Sequence, residues 1–443
     1  MTPDDLRARF RATPARDVPT SALRRLWKTG RGAMGAAGAL LGRRGDDDGA
    51  GPDDADLAKI AGLATQLGEL KGIAMKAGQI LGYVDASLPP EVRGLLALLQ
   101  TQAPASPWPV VEATVREALG DRADALLAGL DREPIAVASI GQVHHGRLPD
   151  GTEVAVKVRH RGIEAAMRAD FRAARIGPVM ATLFGAGGAV RGMIDEARQA
   201  FLEECDLGLE ADRQDELRRL FAGHPTIVIP EVVRAYSATA VLTTRWLPGR
   251  TLDAFLAAAP SQAARDRAGV ALFELYVATL YRHGVFHADP HPGNYAFRDD
   301  GKVVIYDFGC VRRFEPEMVA ALAALVAAVR ADDAAAIADA MRGLGATPPR
   351  GDAAVAHLRG LLRAFFAPLL VDGARAVEPG AGLAGADVLR DKRAIMKLGL
   401  PGRVLFLFRL RFGLYAVLAR LGAVADWAGL ERGWAAAGGL RAA

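Results

Sequence analysis

The chain has 443 residues, of which 51% are hydrophobic and 24% are charged, as in a folded protein large enough for two or three cooperating substructures. Its net charge of +4 is too small to indicate a nucleic-acid partner, although the first 44 residues are locally basic. Cys205 and Cys310 are its two cysteines, which excludes a disulfide framework and a Cys/His metal cluster and favours a reducing cytoplasm.

The beginning of the chain is basic and carries few signals for regular structure. Residues 1–55 contain an arginine-rich stretch and then a glycine-rich acidic run, a pattern typical of a mobile arm and linker. Arg43 and Arg44 stand where a signal peptide would have small residues, so no signal peptide is predicted. The stretch around Trp27 mixes apolar and basic side chains and suits an anionic membrane surface. A solvated arm is equally favoured, because nearby glycines disfavour a helix.

Apolar residues then recur at helical spacing along residues 56–130. The pattern covers 55–81, 94–101 and 110–127, and prolines separate these runs. We therefore predict a helical extension that precedes the first strands.

Short runs rich in β-branched residues follow, and they predict a small strand-rich lobe over residues 131–247. The predicted strands are 135–148, 153–159, 226–233 and 240–246. Pro149-Asp150-Gly151 separates the first two and predicts a hairpin between them. A long helix is predicted at 194–220.

The remainder, residues 248–443, is predicted to be a larger and mainly helical lobe. Three short strands are predicted within it, at 285–286, 295–297 and 303–306, with a turn at Asp299-Asp300-Gly301. Three arginines interrupt the apolar segment 404–425, so no transmembrane helix is expected. The fold class is therefore α+β, with a ligand cleft expected between the two lobes.

Three motifs in a fixed order predict a site for ATP and phosphotransfer. V-A-V-K ends a predicted strand at Lys157, and in kinases such a lysine pairs with the α and β phosphates. H-A-D-P-H-P-G-N sets Asp289 five residues before Asn294, as in the kinase catalytic loop, where the aspartate orients the attacking hydroxyl and the amide holds Mg²⁺. Asp307 opens D-F-G and would hold the same ion. Each motif alone has an ordinary alternative, a solvated strand end or a turn, but their order and spacing make coincidence improbable.

The loop expected to cover the phosphates is atypical. Kinases have a glycine-rich loop between the first two strands, whereas this chain has the run Ala136-Val137-Ala138-Ser139-Ile140-Gly141. Because alanine is conformationally stiffer than glycine, we expect the nucleotide to lie differently against this loop.

The acid that fixes Lys157 cannot be chosen from spacing alone. The candidates share one predicted helical stretch: Glu196, Glu203, Glu204 and Glu210. A peptide-docking segment is also missing, because a helix is predicted from Glu315 with no A-P-E after D-F-G. Ala288 replaces the catalytic-loop arginine that would pair with an activation-loop phosphate.

At these residues the chain resembles the UbiB (AarF/ADCK) family of atypical protein-kinase-like proteins, from about Pro19 to Trp427. K-A-G-Q at 76–79, followed by L-P-P-E at 88–91, is similar to the family's K-x-G-Q motif, and the alanine-rich loop is similar to its signature. The resemblance implies a two-lobed protein-kinase-like fold with an N-terminal helical extension packed over the active-site cleft.

The resemblance also implies roles for particular residues. The lysine of the extension would approach an E-x-D acid pair in E-C-D, and Glu210 would pair with Lys157. The residues implied for this gating are Lys76, Gly78, Gln79, Glu204 and Asp206. The residues predicted to contact the nucleotide are Ala136, Val137, Ala138, Ser139, Lys157, Glu210, Arg245, Trp246 and Leu247. Val137 departs from the alanine usual in that loop, and Arg245 stands where the family often has glutamate.

The resemblance implies a Mg-ATP-dependent ATPase or unorthodox kinase that supports isoprenoid lipid metabolism, typically ubiquinone biosynthesis, at a membrane surface. Its implied partners are ATP, an anionic membrane lipid or isoprenoid precursor, and a quinone-biosynthesis complex, with no nucleic acid. The alternatives are a kinase that phosphorylates a protein or small molecule, with Asp289 as base, and a nucleotide-sensing scaffold with negligible turnover. The sequence indicates neither the oligomeric state nor the acceptor.

Overall fold

The computed structural model describes residues 105–138, 140–165, 168, 198–199, 201–378 and 402–437. The predicted arm, residues 56–104 of the predicted extension, and Ser139 lie outside the described residues.

The described chain begins with a short helical unit that packs under the first sheet. Helix α1 is Trp108–Leu119, a 3₁₀ turn follows at Gly120–Arg122, and α2 is Ala123–Leu127. The helix predicted over 110–127 is thus confirmed. Its buried face, with Val111 and Val115, packs on the valines of the neighbouring sheet.

That sheet is antiparallel, with the strand order β1-β2-β3-β5. Its strands are β1 Ala136–Val137, β2 Gly141–Arg147, β3 Glu153–Arg159 and β5 Val241–Arg245. Gly151, at φ 86°, forms the predicted turn between β2 and β3, a left-handed conformation that glycine adopts without strain. The strand predicted over 135–148 is interrupted after β1, where the Ala138 N–H donates to the Gly141 carbonyl at 2.7 Å and closes a turn.

The long helix predicted at 194–220 is wrong in one respect, because it is not continuous at Asp206. Residues 201–204 are helical, Asp206 is extended, and helix α3 then runs Leu207–Leu220. The Asp206 carboxylate accepts from the N–H groups of Gly208 at 2.9 Å and Leu209 at 3.2 Å. It therefore caps α3, and local side-chain bonding of this kind starts a new helix.

Three smaller sheets accompany the four-stranded sheet. Strand β8 pairs in parallel with β4 and antiparallel with β7, and β6 pairs antiparallel with β9. Their bounds are β4 Ile227–Val228, β6 Val285–His287, β7 Tyr295–Phe297, β8 Val303–Ile305 and β9 Val311–Arg313. Strand β4 is shorter than the predicted 226–233. Strand β9 and the pair β10 Arg375–Ala376 and β11 Val424–Ala425 were not predicted.

The rest of the described chain is helical, as predicted. The helices are α4 Leu252–Ala257, α5 Gln262–Phe273, α6 Thr279–His283, α7 Pro316–Ala331, α8 Ala334–Gly343, α9 Asp352–Phe365, α10 Gly402–Leu421 and α11 Trp427–Ala437. A π-helical turn, Glu274–Ala278, joins α5 directly to α6. Among the residues with described placement, no helix combines the length and apolarity needed to cross a membrane.

The apolar core is divided in the same way as the secondary structure. One cluster lies between the four-stranded sheet and α1, with Val154, Val156 and Val158 at its centre. A much larger cluster unites the helices from α5 onward with the strands β6 to β9. The predicted α+β class is confirmed by this mixture of sheet and helix.

Candidate functional site

Lys157 lies on β3, and its side chain points away from the core because successive side chains alternate between the two faces of a strand. Its neighbours Val156 and Val158 are at most 1% exposed and face the apolar cluster, so the side chain between them points to the other face. Lys157 Nζ lies 2.8 and 2.9 Å from the two carboxylate oxygens of Glu210 and 3.0 Å from Asp307 Oδ2. One ammonium thus joins β3, α3 and the D-F-G segment.

The electrostatics of this cluster are governed by burial. Burial raises the pKa of Glu210 to about 7, with the Lys157 ammonium opposing that rise and the Asp307 carboxylate adding to it. Burial lowers the pKa of Lys157, but Asp307 and Glu210 outweigh it, so the pKa is raised. Lys157 therefore stays cationic and can bind an anionic ligand.

Asp307 is fixed by its own backbone and by His287. The Gly309 N–H donates to Asp307 Oδ1 at 3.0 Å, and Phe308 is completely buried. His287 Nε2 lies 2.6 Å from the Asp307 carbonyl oxygen, so Nε2 carries the hydrogen and donates it. The D-F-G segment is thereby tied to β6, the strand that leads into residues 288–294, the predicted catalytic loop.

The catalytic loop brings Asp289 and Asn294 beside that segment. Asn294 Nδ2 donates to the Asp289 carbonyl oxygen at 3.3 Å, which leaves the amide oxygen as a ligand for a cation. The backbone N–H of Tyr306 donates to the Asn294 carbonyl at 2.8 Å, so Asn294, just before β7, and Asp307, just after β8, lie at the same end of this antiparallel pair. Asp289 is partly buried, and its Oδ1 accepts from the His291 N–H at 3.4 Å.

The donor set of Asn294 and Asp307 fits Mg²⁺. Both supply hard oxygen atoms, and Mg²⁺ in kinase-type sites takes one or two protein oxygens together with phosphate and water. Among the residues whose placement is described, no group of three or more His, Cys, Asp or Glu side chains could hold a metal ion by itself.

The predicted nucleotide-contacting residues lie along both sides of β3. Ala136 and Val137 form β1, and Ala138 closes the turn described above. A Cβ on Gly141 would meet the Val158 carbonyl oxygen at 2.4 Å, so this position requires glycine for close strand approach.

The connection after β5 carries the other predicted contacts. Arg245 pairs with Glu231 at 3.0 Å, and the Trp246 ring meets His145 edge-on at 5.1 Å between centroids. The Leu247 carbonyl accepts from the Tyr306 hydroxyl at 2.7 Å. This bond joins the connection to the residue directly before Asp307.

The structure separates the four acidic candidates. Glu210 contacts Lys157, whereas Glu203 Oε2 accepts from Arg213 at 2.5 Å and from Arg312 at 2.8 Å. Glu204 lies against the D-F-G turn, since a Cβ on Gly309 would be 3.3 Å from Glu204 Cγ. Glu196 lies outside the described residues, as do the predicted gating residues Lys76, Gly78 and Gln79.

Three site residues were missed by sequence reasoning. Arg213 Nη1 donates to the Gly309 carbonyl at 2.9 Å, the Tyr276 hydroxyl donates to the Asp289 carbonyl at 3.0 Å, and Tyr306 makes the bond to Leu247. Each acts on a backbone carbonyl, which no sequence motif identifies. The available signals were weak: Arg213 lies one helical turn after Glu210, and Tyr306 adjoins D-F-G.

Comparison with known proteins finds a family whose profile spans the described residues of this site. The family profile described as the ABC1 atypical kinase-like domain matches residues 98–341, more than half of the chain. A solved structure of a Mycobacterium tuberculosis protein with erythromycin is similar at a TM-score of 0.58 and 28% identity, covering 83% of this chain and 94% of that one.

Two named relatives are similar over shorter stretches. The protein ACTIVITY OF BC1 COMPLEX KINASE 8, chloroplastic, of Arabidopsis thaliana is 31% identical over 285 residues, which are 63% of this chain and 37% of that protein. AarF domain-containing protein kinase 1 of Xenopus tropicalis is 28% identical over 241 residues, 53% of this chain and 45% of the relative. The match therefore spans less than half the length of both relatives.

Proposed function

This chain belongs to the ABC1 family of atypical kinase-like proteins, and from that premise we propose that it binds Mg-ATP and hydrolyses it. The observation that carries the proposal is the position of Lys157, held between Glu210 and Asp307. A lysine so placed contacts ATP phosphates in kinases, and an aspartate and asparagine complete the metal site.

Each residue has a defined task in this proposal. Lys157, oriented by Glu210, binds the α and β phosphates, while Asn294 and Asp307 would hold Mg²⁺ through oxygen atoms. When bound, Mg²⁺ neutralises charge on the β and γ phosphates. Asp289 orients the attacking water and accepts its proton, for which the carboxylate must be ionised. The adenine ring of ATP is expected to lie between the alanine-rich loop and the connection at Arg245, Trp246 and Leu247.

The wider setting is also part of the proposal. We place the helical extension with K-A-G-Q over the cleft between two lobes, near Glu204 and Asp206, where it would obstruct a protein substrate. The role we assign is support of isoprenoid lipid or ubiquinone biosynthesis at a membrane surface. The resemblance of the motifs supports this, and so does the basic, partly apolar stretch around Trp27.

The alternative function is phosphoryl transfer to a protein or small molecule. The names of two relatives contain the word kinase, and the similar Mycobacterium tuberculosis structure contains a small molecule, erythromycin. Asp289 would then accept the proton of the acceptor hydroxyl instead of the proton of water.

Purified chain should release phosphate from Mg-ATP, and Asp307→Ala should abolish that release. Asp339→Ala is the matched control, because the exposed Asp339 side chain pairs with Arg342 on α8, away from the site. Lys157→Ala should weaken binding of a fluorescent ATP analogue by tenfold or more, whereas Lys302→Ala, on the β7–β8 turn, should leave it unchanged. A charge-assisted contact of about 1.5 to 3 kcal/mol corresponds to that loss.

The arms of the same assay separate the alternatives. Anionic liposomes and a quinone-precursor mimic should raise phosphate release if the lipid role is right, and label on added protein or erythromycin would favour a kinase. Failure of both the full chain and a chain lacking residues 56–104 to bind ATP would refute the nucleotide site.

A further inference from the structure

A π-helical turn lies beneath the catalytic loop. Helix α5 passes into Glu274–Ala278 and then into α6, with α-helical dihedrals at Phe273 and Thr279 on either side. Four of the five π residues are buried, so the turn faces the core. Such turns add a residue to a helix, are rare, and occur frequently at functional sites.

The π turn carries Tyr276, which points at the catalytic loop. Its ring is 1% exposed, its hydroxyl donates to the Asp289 carbonyl at 3.0 Å, and its edge meets His287 at 5.2 Å between centroids. Each residue advances a helix by about 100°, so one residue fewer in the turn would rotate Tyr276 relative to α6. The extra residue therefore allows Tyr276 to contact Asp289 and His287 while α6 keeps its packing in the core.

The carbonyl that Tyr276 contacts also orients the predicted metal ligand. Asn294 Nδ2 donates to the same Asp289 oxygen at 3.3 Å, so the two donors occupy its two lone pairs. His287, in contact with the Tyr276 ring, donates to the Asp307 carbonyl at 2.6 Å. Tyr276 thus touches the supports of both residues assigned to Mg²⁺.

We propose that Tyr276, placed by the π turn, is a positioning residue that holds the Asp289 carbonyl so that the Asn294 amide presents its oxygen to Mg²⁺. This inference rests on the proposed Mg-ATP site. It predicts that the Tyr276 hydroxyl affects Mg²⁺ binding by the protein–nucleotide complex more than it affects the binding of metal-free nucleotide.

The variant Tyr276→Phe removes the hydroxyl and keeps the buried ring. Tyr281→Phe is the matched control, because Tyr281 follows on α6, is 2% exposed and donates to Glu431 Oε1 at 2.6 Å, in the core away from the loop. Both variants lose one buried hydrogen bond and should lower the melting temperature. Only Tyr276→Phe should change the dependence on Mg²⁺.

The measurement is binding of a fluorescent ATP analogue during a Mg²⁺ titration, with turnover measured in parallel. Tyr276→Phe should raise the half-saturating Mg²⁺ concentration and lower kcat, each about fivefold, the equivalent of one hydrogen bond, with the affinity for metal-free nucleotide unchanged. In an Asn294→Ala background, Tyr276→Phe should change the Mg²⁺ dependence little, because both act through one amide.

Three outcomes would overturn the inference. A Tyr276→Phe protein with the wild-type Mg²⁺ midpoint and kcat has lost only a structural bond, like the control. Equal effects in the wild-type and Asn294→Ala backgrounds would separate Tyr276 from the amide. Wild-type protein that binds no nucleotide at any Mg²⁺ concentration would refute the proposed function itself, a result distinct from the first two.

Discussion

At the scale of single residues, Lys157 lies between two carboxylates that differ in burial. The Glu210 side chain is 1% exposed and that of Asp307 is 31% exposed. Because the desolvation of a carboxylate grows with burial, Glu210 titrates near neutrality, with a pKa of about 7. Asp307 is partly exposed, which suits the cation-binding role proposed for it.

The raised pKa of Glu210 predicts how stability depends on pH. The folded chain binds this proton more tightly than the unfolded chain does, so the contribution of Glu210 falls as pH rises from 4.5 to about 7. Glu210→Gln removes the titration. The free energy of unfolding of wild type relative to this variant should therefore fall across that interval. Urea unfolding at several pH values measures it.

Glu203→Gln supplies a control with the opposite sign. Burial raises the pKa of Glu203, but hydrogen bonds from Arg213 and Gln199 and the charge of Arg312 outweigh burial and lower it. Its contribution to stability is therefore present above pH 4.5 and is lost as the pH falls below that value. Between about pH 5 and 7 the Glu203→Gln difference should stay constant while the Glu210→Gln difference changes. Parallel curves for the two variants would contradict the buried titration of Glu210.

The sequence identified the site residues that belong to motifs with a fixed spacing along the chain. Lys157, Asp289, Asn294 and Asp307 lie together as their order predicted, although their roles remain proposals. Tyr276 was not found, because a hydroxyl that bonds a backbone carbonyl has no fixed spacing from the loop it supports. The choice of Glu210 came from family resemblance, since Glu203 lies seven residues before it on an apparently continuous helical pattern.

At the scale of elements, α3 positions Glu210 and Arg213, and its start is set by Asp206. The sequence pattern predicted one continuous helix across Asp206. Helical periodicity does not reveal a short break that has helix on both sides. Hairpins were predicted well, since Pro-Asp-Gly and Asp-Asp-Gly turns have strong local preferences. Two-residue strands such as β10 and β11 escaped prediction because tertiary pairing alone creates them.

The cap predicts different outcomes for three substitutions at Asp206. Asp206→Ala removes the acceptor for Gly208 and Leu209 and should cost about 1 kcal/mol of stability, while Asp206→Ser and Asp206→Asn keep an acceptor and should cost less. Thermal melts rank the variants. Nucleotide affinity should follow the same order, because α3 carries Glu210.

The same series tests the gating role that the resemblance implies for Asp206. Asn caps a helix but carries no charge, so an ion pair with Lys76 would be lost in Asp206→Asn while the cap is kept. If Asp206→Asn melts like wild type but releases phosphate at a different rate, the charge matters beyond the cap. Wild-type melting and turnover in Asp206→Asn would leave capping as the sole function.

At the scale of the whole molecule, the C-terminal helices support the catalytic loop. Arg411 of α10 pairs with Glu431 of α11 at 2.8 Å in the core, which ties the two C-terminal helices to each other. On α10 as well, Gly413 lies against Pro290, the residue after Asp289. The loop thus packs against a helix more than 100 residues away in the chain, a contact that no local sequence pattern expresses.

Gly413→Ala tests that dependence. A Cβ at this position would lie 2.6 Å from Pro290 Cγ, a rigid ring atom that must move or push α10 away. Overpacking of this kind costs about 1 to 3 kcal/mol, against a gain of up to about 1 kcal/mol from helix propensity. We expect a lower melting temperature and, because Pro290 adjoins Asp289, reduced phosphate release well below that temperature.

Gly360→Ala on α9, where a Cβ meets nothing within 4 Å, should instead keep activity and raise stability slightly. Equal activity and stability in the two variants would show that α10 does not set the catalytic loop.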